Sequence, residues 1–134
     1  MASLEVPIVA LVIGEGASGG ALGIGICDRF IMLENTWFSV ISPEGCASIL
    51  WKDAKMAEKA AEALCITAPK LLNHKLIDKI IPEPLGGAHR DYAAMSSSLK
   101  MNLISIIDEL KMQNINDLLS SRKKKIESYG DYQT

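Results

Sequence analysis

An α/β fold with its sheet gathered at the N-terminal end is what this sequence predicts, and three observations predict it. Pro7 to Ile13 (PIVALVI) is an unbroken apolar, β-branched run that stops at glycine, the pattern of a strand buried on both faces. The stretch from Gly14 to Gly25 holds six of the ten glycines, as expected of a tight turn into a small-residue helix. From Ala88 onward apolar residues recur every three or four positions, as in amphipathic helices.

Taken in order, the first run should lie inside a sheet and not at its edge. Phe30 to Glu34 (FIMLE) and Trp37 to Ile41 (WFSVI) read as two short strands, expected to pair as neighbours across Asn35 and Thr36, although a two-residue hairpin prefers glycine there. Ser42, Pro43 and Glu44 make a helix start: a hydroxyl cap, proline at the first helical position, and an acid at the positive end of the dipole. That helix should run to about Trp51. Asp53 can cap a second helix whose Met56, Ala60, Ala63 and Leu64 share one face, and Thr67 to Leu76 reads as a third. Lys79 to Ile81 is a brief strand stopped by Pro82 and Pro84, and Gly86 and Gly87 break the chain. Ala88 to about Met112 repeats Met95, Leu99, Leu103, Ile106, Ile107 and Leu110 along one helical stripe. A last helix, roughly Asn116 to Tyr129, ends at Gly130. This divides the chain into a core, residues 1–87, and a helical extension, residues 88–134, expected to pack on a neighbouring subunit and serve assembly. A strand as apolar as IVALVI needs neighbours on both edges, and few strands follow it. The chain therefore reads as part of a longer one.

At 49% hydrophobic and 22% charged, the 134 residues suit a single globular domain. A net charge of -2 supplies no global basic field for nucleic acid or an anionic membrane. The longest apolar run is less than half of the roughly 18 residues a membrane helix needs, and no basic segment precedes it, so a soluble intracellular protein is expected. Cys27, Cys46 and Cys65 form no C-x-x-C pair, which argues against a zinc site or a disulfide framework. They are expected to be small buried residues.

The glycine segment is the strongest chemical signal. A strand passing through glycines into a helix leaves first-turn amides without intrahelical acceptors, ready to hold an oxyanion or a phosphate. Nucleotide binding fits badly, because no G-K-[ST] follows and Gly14, Gly16 and Gly19 match G-x-G-x-x-G by bare spacing only. Gly16 to Gly20 also satisfies G-x-S-x-G letter by letter, which would make Ser18 a nucleophile; against that, the two histidines, His74 and His89, read as capping or surface residues. The competing structural reading is close helix packing through Gly19 with Gly23 and Ala21 with Gly25. From the residues alone, packing and amide donation stand level. Glu15 reads as a turn residue. Glu44 reads first as a helix-start acid and second as a general acid or base, and Arg122 to Lys125 as a solvated helix face.

VPIVALVIGEGASGGALGIGICD, SVISPEGCASILWKDA, AAEALCITAP, LIDKIIPEPLGGAHRD and a terminal SYG together resemble the carboxyltransferase alpha subunit of multisubunit acetyl-CoA carboxylase, from Val6 to Gly130. The resemblance implies a crotonase-like α/β fold, of which this would be the C-terminal portion, helix-rich after its N-terminal strands. It implies an oxyanion hole at the S-G-G step, Gly19 and Gly20, with Gly16, Ala17 and Ser18 lining the substrate. Ala17 stands where relatives often carry glycine, and its amide is retained. The implied reaction moves a carboxyl group from carboxybiotin to acetyl-CoA, giving malonyl-CoA for fatty acid biosynthesis. Biotin would arrive on a carrier protein and zinc would belong to the beta subunit. Implied partners are that beta subunit in an alpha2-beta2 assembly, the biotin carboxyl carrier protein and biotin carboxylase. The implied location is bacterial cytoplasm, or plastid stroma in a eukaryote. A crotonase-type enoyl-CoA hydratase or isomerase, with Glu44 as its glutamate, is the alternative, and a non-catalytic assembly module is the third.

Overall fold

A computed structural model describes residues 1–130; residues 131–134, the end of the expected extension, lie outside the described part. Five strands and six α-helices alternate as β1 (Val9–Val12), β2 (Glu15–Ala17), α1 (Ser18–Ile24), β3 (Arg29–Leu33), β4 (Trp37–Ser39), α2 (Pro43–Trp51), α3 (Ala57–Leu64), α4 (Ala68–Asn73), β5 (Lys79–Ile81), α5 (Tyr92–Lys111) and α6 (Ile115–Glu127). A 3-10 turn at Ala54–Met56 precedes α3.

The strands form two parallel sheets, β1-β3-β5 and β2-β4. This corrects the hairpin expectation. β3 and β4 follow one another in sequence but pair with different strands: Val9 to Val12 lie beside Arg29 to Met32, and Glu15 to Ala17 beside Trp37 to Ser39. The absence of glycine at Asn35 and Thr36 was the physical hint. Those residues make a corner between sheets, where the Thr36 hydroxyl donates to the Leu33 carbonyl at 2.7 Å.

The central strand is β3, not β1. Its side chains alternate, Phe30 and Met32 meeting Cys27, Leu71 and Ile77 on one face, and Ile31 and Leu33 meeting Ile81, Met95, Ile106, Leu110 and Leu118 on the other. Each face is thus covered by helices, α4 on one side and α5 with α6 on the other. β1 has one neighbour among the described residues and buries only Ala10 fully, so it is an edge strand here, contrary to expectation. A small satellite core of Cys46, Ala47 and Ala60 joins α2 to α3.

The Ser42 cap read from sequence holds, whereas Asp53 caps the 3-10 turn and not α3, whose N-cap Met56 makes no side-chain bond. The Ser42 hydroxyl accepts from the Gly45 amide at 3.1 Å, and Asp53 accepts from the Lys55 amide at 2.9 Å at the 3-10 turn. Asp91 and Asn114 cap α5 and α6 in the same way. The apolar stripe of α5 is taken up by this chain's own sheet. What it leaves outward is Met101 and Ile104, with Met112 and Ile115 exposed at the joint to α6.

The solvated face expected from Arg122 to Lys125 holds for Lys123 and Lys124, which are exposed, and fails at Arg122. Its side chain is buried, with Nε and Nη2 each 2.8 Å from the Asp28 carboxylate, Nη1 donating to the carbonyls of Met1, Ala2 and Leu4, and Nη2 to that of Val6. Lys125 pairs with Asp78. Asp28 and Asp78 repeat one device at the amino ends of their strands, accepting from the amides of Ile8 and Phe30 at 2.7 and 2.6 Å. Cys27 and Cys46 are buried as expected, but Cys65 is only half-buried, because it ends α3 with a left-handed φ of 52°.

Candidate active site

β1 leaves its sheet through Gly14, whose carbonyl accepts from the Trp37 amide at 3.2 Å and so starts the β2–β4 pair. At the end of β2, Ala17 is extended and provides no side-chain cap for α1. Ser18 then turns the chain with φ 73°, one of four residues other than glycine with positive φ among the described ones. An L-residue in this region stores roughly 1–3 kcal/mol of strain unless its surroundings hold it. Here the β2–β4 register on one side and the helix on the other hold it.

The turn places Ser18, Gly19 and Gly20 in the first turn of α1, where amides have no intrahelical acceptor. All three are exposed. A Cβ built on Gly19, Gly20 or Gly23 meets nothing within 4 Å, so among the described residues close packing does not explain these glycines. Gly16 and Gly25 differ: a Cβ on Gly16 would lie 2.8 Å from Phe38 Cδ2, and one on Gly25 would lie 3.3 Å from Phe30 Cε1. Gly16 is therefore required by the β2–β4 packing whatever else it does. The open space over Gly19 and Gly20 suits a flat polar head group brought against backbone amides.

Ser18 Oγ has no hydrogen bond among the described residues, and neither histidine is brought to it by any contact observed there. His74 ends α4 on the surface and His89 sits in the loop after β5. Glu44 is exposed in the first turn of α2, facing solvent as a helix-start acid.

Three concavities lie in this part of the molecule, and none of them is lined by Ser18, Gly19 or Gly20. A groove of about 290 Å³ follows β1 into β2 beneath α1, between Ala10 and Ile24. An apolar cavity of about 430 Å³ lies under α1, walled by Leu22, Phe30, Phe38, Leu71 and Tyr129. A cleft of about 610 Å³ lies at the carboxyl ends of β1, β3 and β5, between Gly14, Asn35, Thr36, Glu83 and His89. Sequence reasoning missed this last one. The sequence signal for it is Glu83 held between Pro82 and Pro84, followed by the Gly86–Gly87 break.

Two buried groups titrate abnormally near the apolar cavity. Burial pushes the Cys27 thiol up, partly opposed by the Lys125 ammonium. Tyr129 is pushed up to about 12, first by burial and then by the Asp78 carboxylate and Cys27.

Residues 1–130 match the family described as acetyl co-enzyme A carboxylase carboxyltransferase-like. Acetyl-coenzyme A carboxylase carboxyl transferase subunit alpha of Yersinia pestis (strain Pestoides F) is 56% identical over 130 residues, covering 97% of this chain and 41% of the relative. The protein of the same description from Yersinia pseudotuberculosis serotype O:1b (strain IP 31758) matches to the same extent. The chain thus spans 41% of the length of these curated relatives. Among solved structures, a Pseudomonas malonate decarboxylase hetero-tetramer in complex with coenzyme A superposes with a TM-score of 0.57 at 18% identity, over 87% of this chain and 45% of that one. That likeness concerns the fold alone. Together these findings bear out the crotonase-like α/β reading.

Proposed function

Because this chain belongs to the acetyl-CoA carboxylase carboxyltransferase family, we propose that it forms the biotin-facing part of a carboxyltransferase alpha subunit, with the Ser18–Gly20 turn as its oxyanion-binding element. The observation that carries this is the pair of glycine amides in an uncapped first helical turn, opening on free space.

When bound on its separate carrier protein, carboxybiotin would supply the carboxyl group that acetyl-CoA receives, and its urea oxygen would be the oxyanion that needs donors. Gly19 and Gly20 donate their N–H groups to the oxyanion and need no change of protonation to do so. A preorganised donor of this kind is worth about 2.7–4 kcal/mol, or roughly a hundred- to a thousand-fold in rate. Gly16 and Ala17 line the approach. The Ser18 hydroxyl is a bystander whose backbone makes the turn. The beta subunit, with its zinc, supplies the acetyl-CoA side, and biotin carboxylase and the carrier protein complete the route to malonyl-CoA for fatty acid biosynthesis in the cytoplasm, or in plastid stroma. The hydratase reading loses its support, since the relatives are carboxyl transferase subunits.

The test is malonyl-CoA formation by the intact alpha subunit assembled with its beta partner. Gly20→Pro removes an amide donor and should abolish turnover. Gly20→Ala keeps the amide but puts a methyl group into the open space, and should lower turnover with carboxybiotin at least tenfold, while acetyl-CoA binding stays nearly unchanged. Ser18→Ala should retain most activity. Loss of all activity in Ser18→Ala with Gly20→Ala unimpaired would replace amide donation by a covalent serine route.

A further inference from the structure

The loop after β5 is built around one carboxylate. Glu83 stands between Pro82 and Pro84, so its backbone is restricted from both sides and presents the side chain from a stiff segment. Gly86 and Gly87, with φ of 89° and 103°, then turn the chain back on itself. The returning Ala88 amide reaches Glu83 Oε2 at 2.7 Å, while the Asn35 amide reaches Oε1 at 2.9 Å. Glu34 completes the joint, its carboxylate accepting from the Glu83 amide at 3.3 Å and its amide donating to the Ile81 carbonyl at 3.1 Å. Burial works to raise the Glu83 carboxyl, but the hydrogen bonds from Asn35 and Ala88, helped by nearby His89, outweigh it and hold the carboxyl below its ordinary value. Both oxygens are thus committed to neighbouring loops.

Asn35 is two residues before β4, and β4 fixes β2 through the Trp37 amide on the Gly14 carbonyl and the Ala17–Ser39 pairing. The residue after Ala17 is Ser18. We infer that Glu83 is a positioning residue, tying the Gly86–His89 loop to the β3–β4 corner and, through β4 and β2, holding the Ser18–Gly20 turn in place. This rests on the reading of that turn given above, but its first readout does not depend on catalysis.

The experiment compares Glu83→Ala and Glu83→Gln in the assembled carboxyltransferase by amide hydrogen exchange and by kinetics. Glu83→Ala should speed exchange in a peptide covering Gly16–Leu22 about tenfold, besides the local change at Asn35 and Ala88. It should also lower kcat about tenfold, with little change in the KM for acetyl-CoA, since a misplaced donor acts on the reacting geometry and not on the other substrate. Glu83→Gln, which retains an acceptor oxygen for one of the two amides, should lie between wild type and Ala in both readouts. If Glu83→Ala fails to assemble, Glu83→Gln alone decides, with faster exchange at Gly16–Leu22 supporting the inference and unchanged exchange overturning it. Exchange altered only at Asn35 and Ala88 makes Glu83 a local brace and overturns it as well. Faster exchange at Gly16–Leu22 combined with a fully active Gly20→Pro enzyme would preserve the coupling and remove the oxyanion reading.

Discussion

Removing the Arg122 guanidinium would leave four backbone carbonyls without this donor and the Asp28 carboxylate with only the Ile8 amide. Breaking such a buried pair from one side costs about 3–5 kcal/mol, so Arg122→Met should lower unfolding free energy by roughly that amount in denaturant titration. Asp28→Ala should cost markedly less in the Arg122→Met background than alone. Equal costs in both backgrounds would show that the two residues are not coupled. Nothing local in the sequence announces this arginine, because its partners are carbonyls and a carboxylate 94 to 121 residues away. Tyr129 is a second residue whose environment is invisible in sequence. Its hydroxyl is buried without a hydrogen-bond partner among the described residues, and its pKa is raised from 10 to about 12. The sign follows: the folded state favours the neutral phenol, so this contribution to stability is fully present below about pH 10 and is lost as pH rises through about 12. Tyr129→Phe should flatten that decline in alkaline unfolding curves and leave neutral-pH stability equal or higher, since it removes an unpaired buried hydroxyl.

At the scale of elements, what local chemistry dictates was legible. Ser42 with Pro43, the Asp53 cap and the stripe of α5 were all readable, because caps and periodicity act within a turn or two. Strand pairing was not, since β3 and β4 are separated by three residues yet belong to different sheets. The open Gly19–Gly20 turn was legible as a possible donor site, but only its surroundings could separate that role from packing. The cleft behind Glu83 needed the fold, because Asn35 and Ala88 meet the carboxylate only once β3 and β5 are side by side. The outward face of α5 carries an element-scale prediction. Met101 is 68% and Ile104 49% exposed, and this remaining apolar strip of the helical extension is the surface proposed for subunit assembly. Met101→Glu with Ile104→Glu should weaken assembly in sedimentation velocity while leaving the helix content of the subunit intact by circular dichroism. Unchanged assembly would move the interface elsewhere. Substitution is the cleaner test, because deleting α6 would also delete Arg122.

For the whole molecule, β1 matters most. Among the described residues one of its edges has no partner strand, and Ile13 and Ile24 are exposed in the groove beside it under α1. An apolar edge of this kind is a template for another strand. The chain as given, purified alone, should therefore self-associate with rising concentration, and a monodisperse monomer with a sharp two-state melt would contradict this. In the longer relatives the same edge has more chain available to cover it.

The Arg122 clamp also sets a timetable for synthesis. Its carbonyl partners in residues 1–6 and the Asp28 carboxylate leave the ribosome long before the guanidinium that will hold them, with 94 residues between Asp28 and Arg122. At about 5–20 residues per second that interval is roughly 5 to 19 s. During it the opening segment and the amino end of β3 lack their main cation, so the nascent chain presents an anionic, unsatisfied start to its sheet. That window closes when α6 is made and brings Arg122 to its partners.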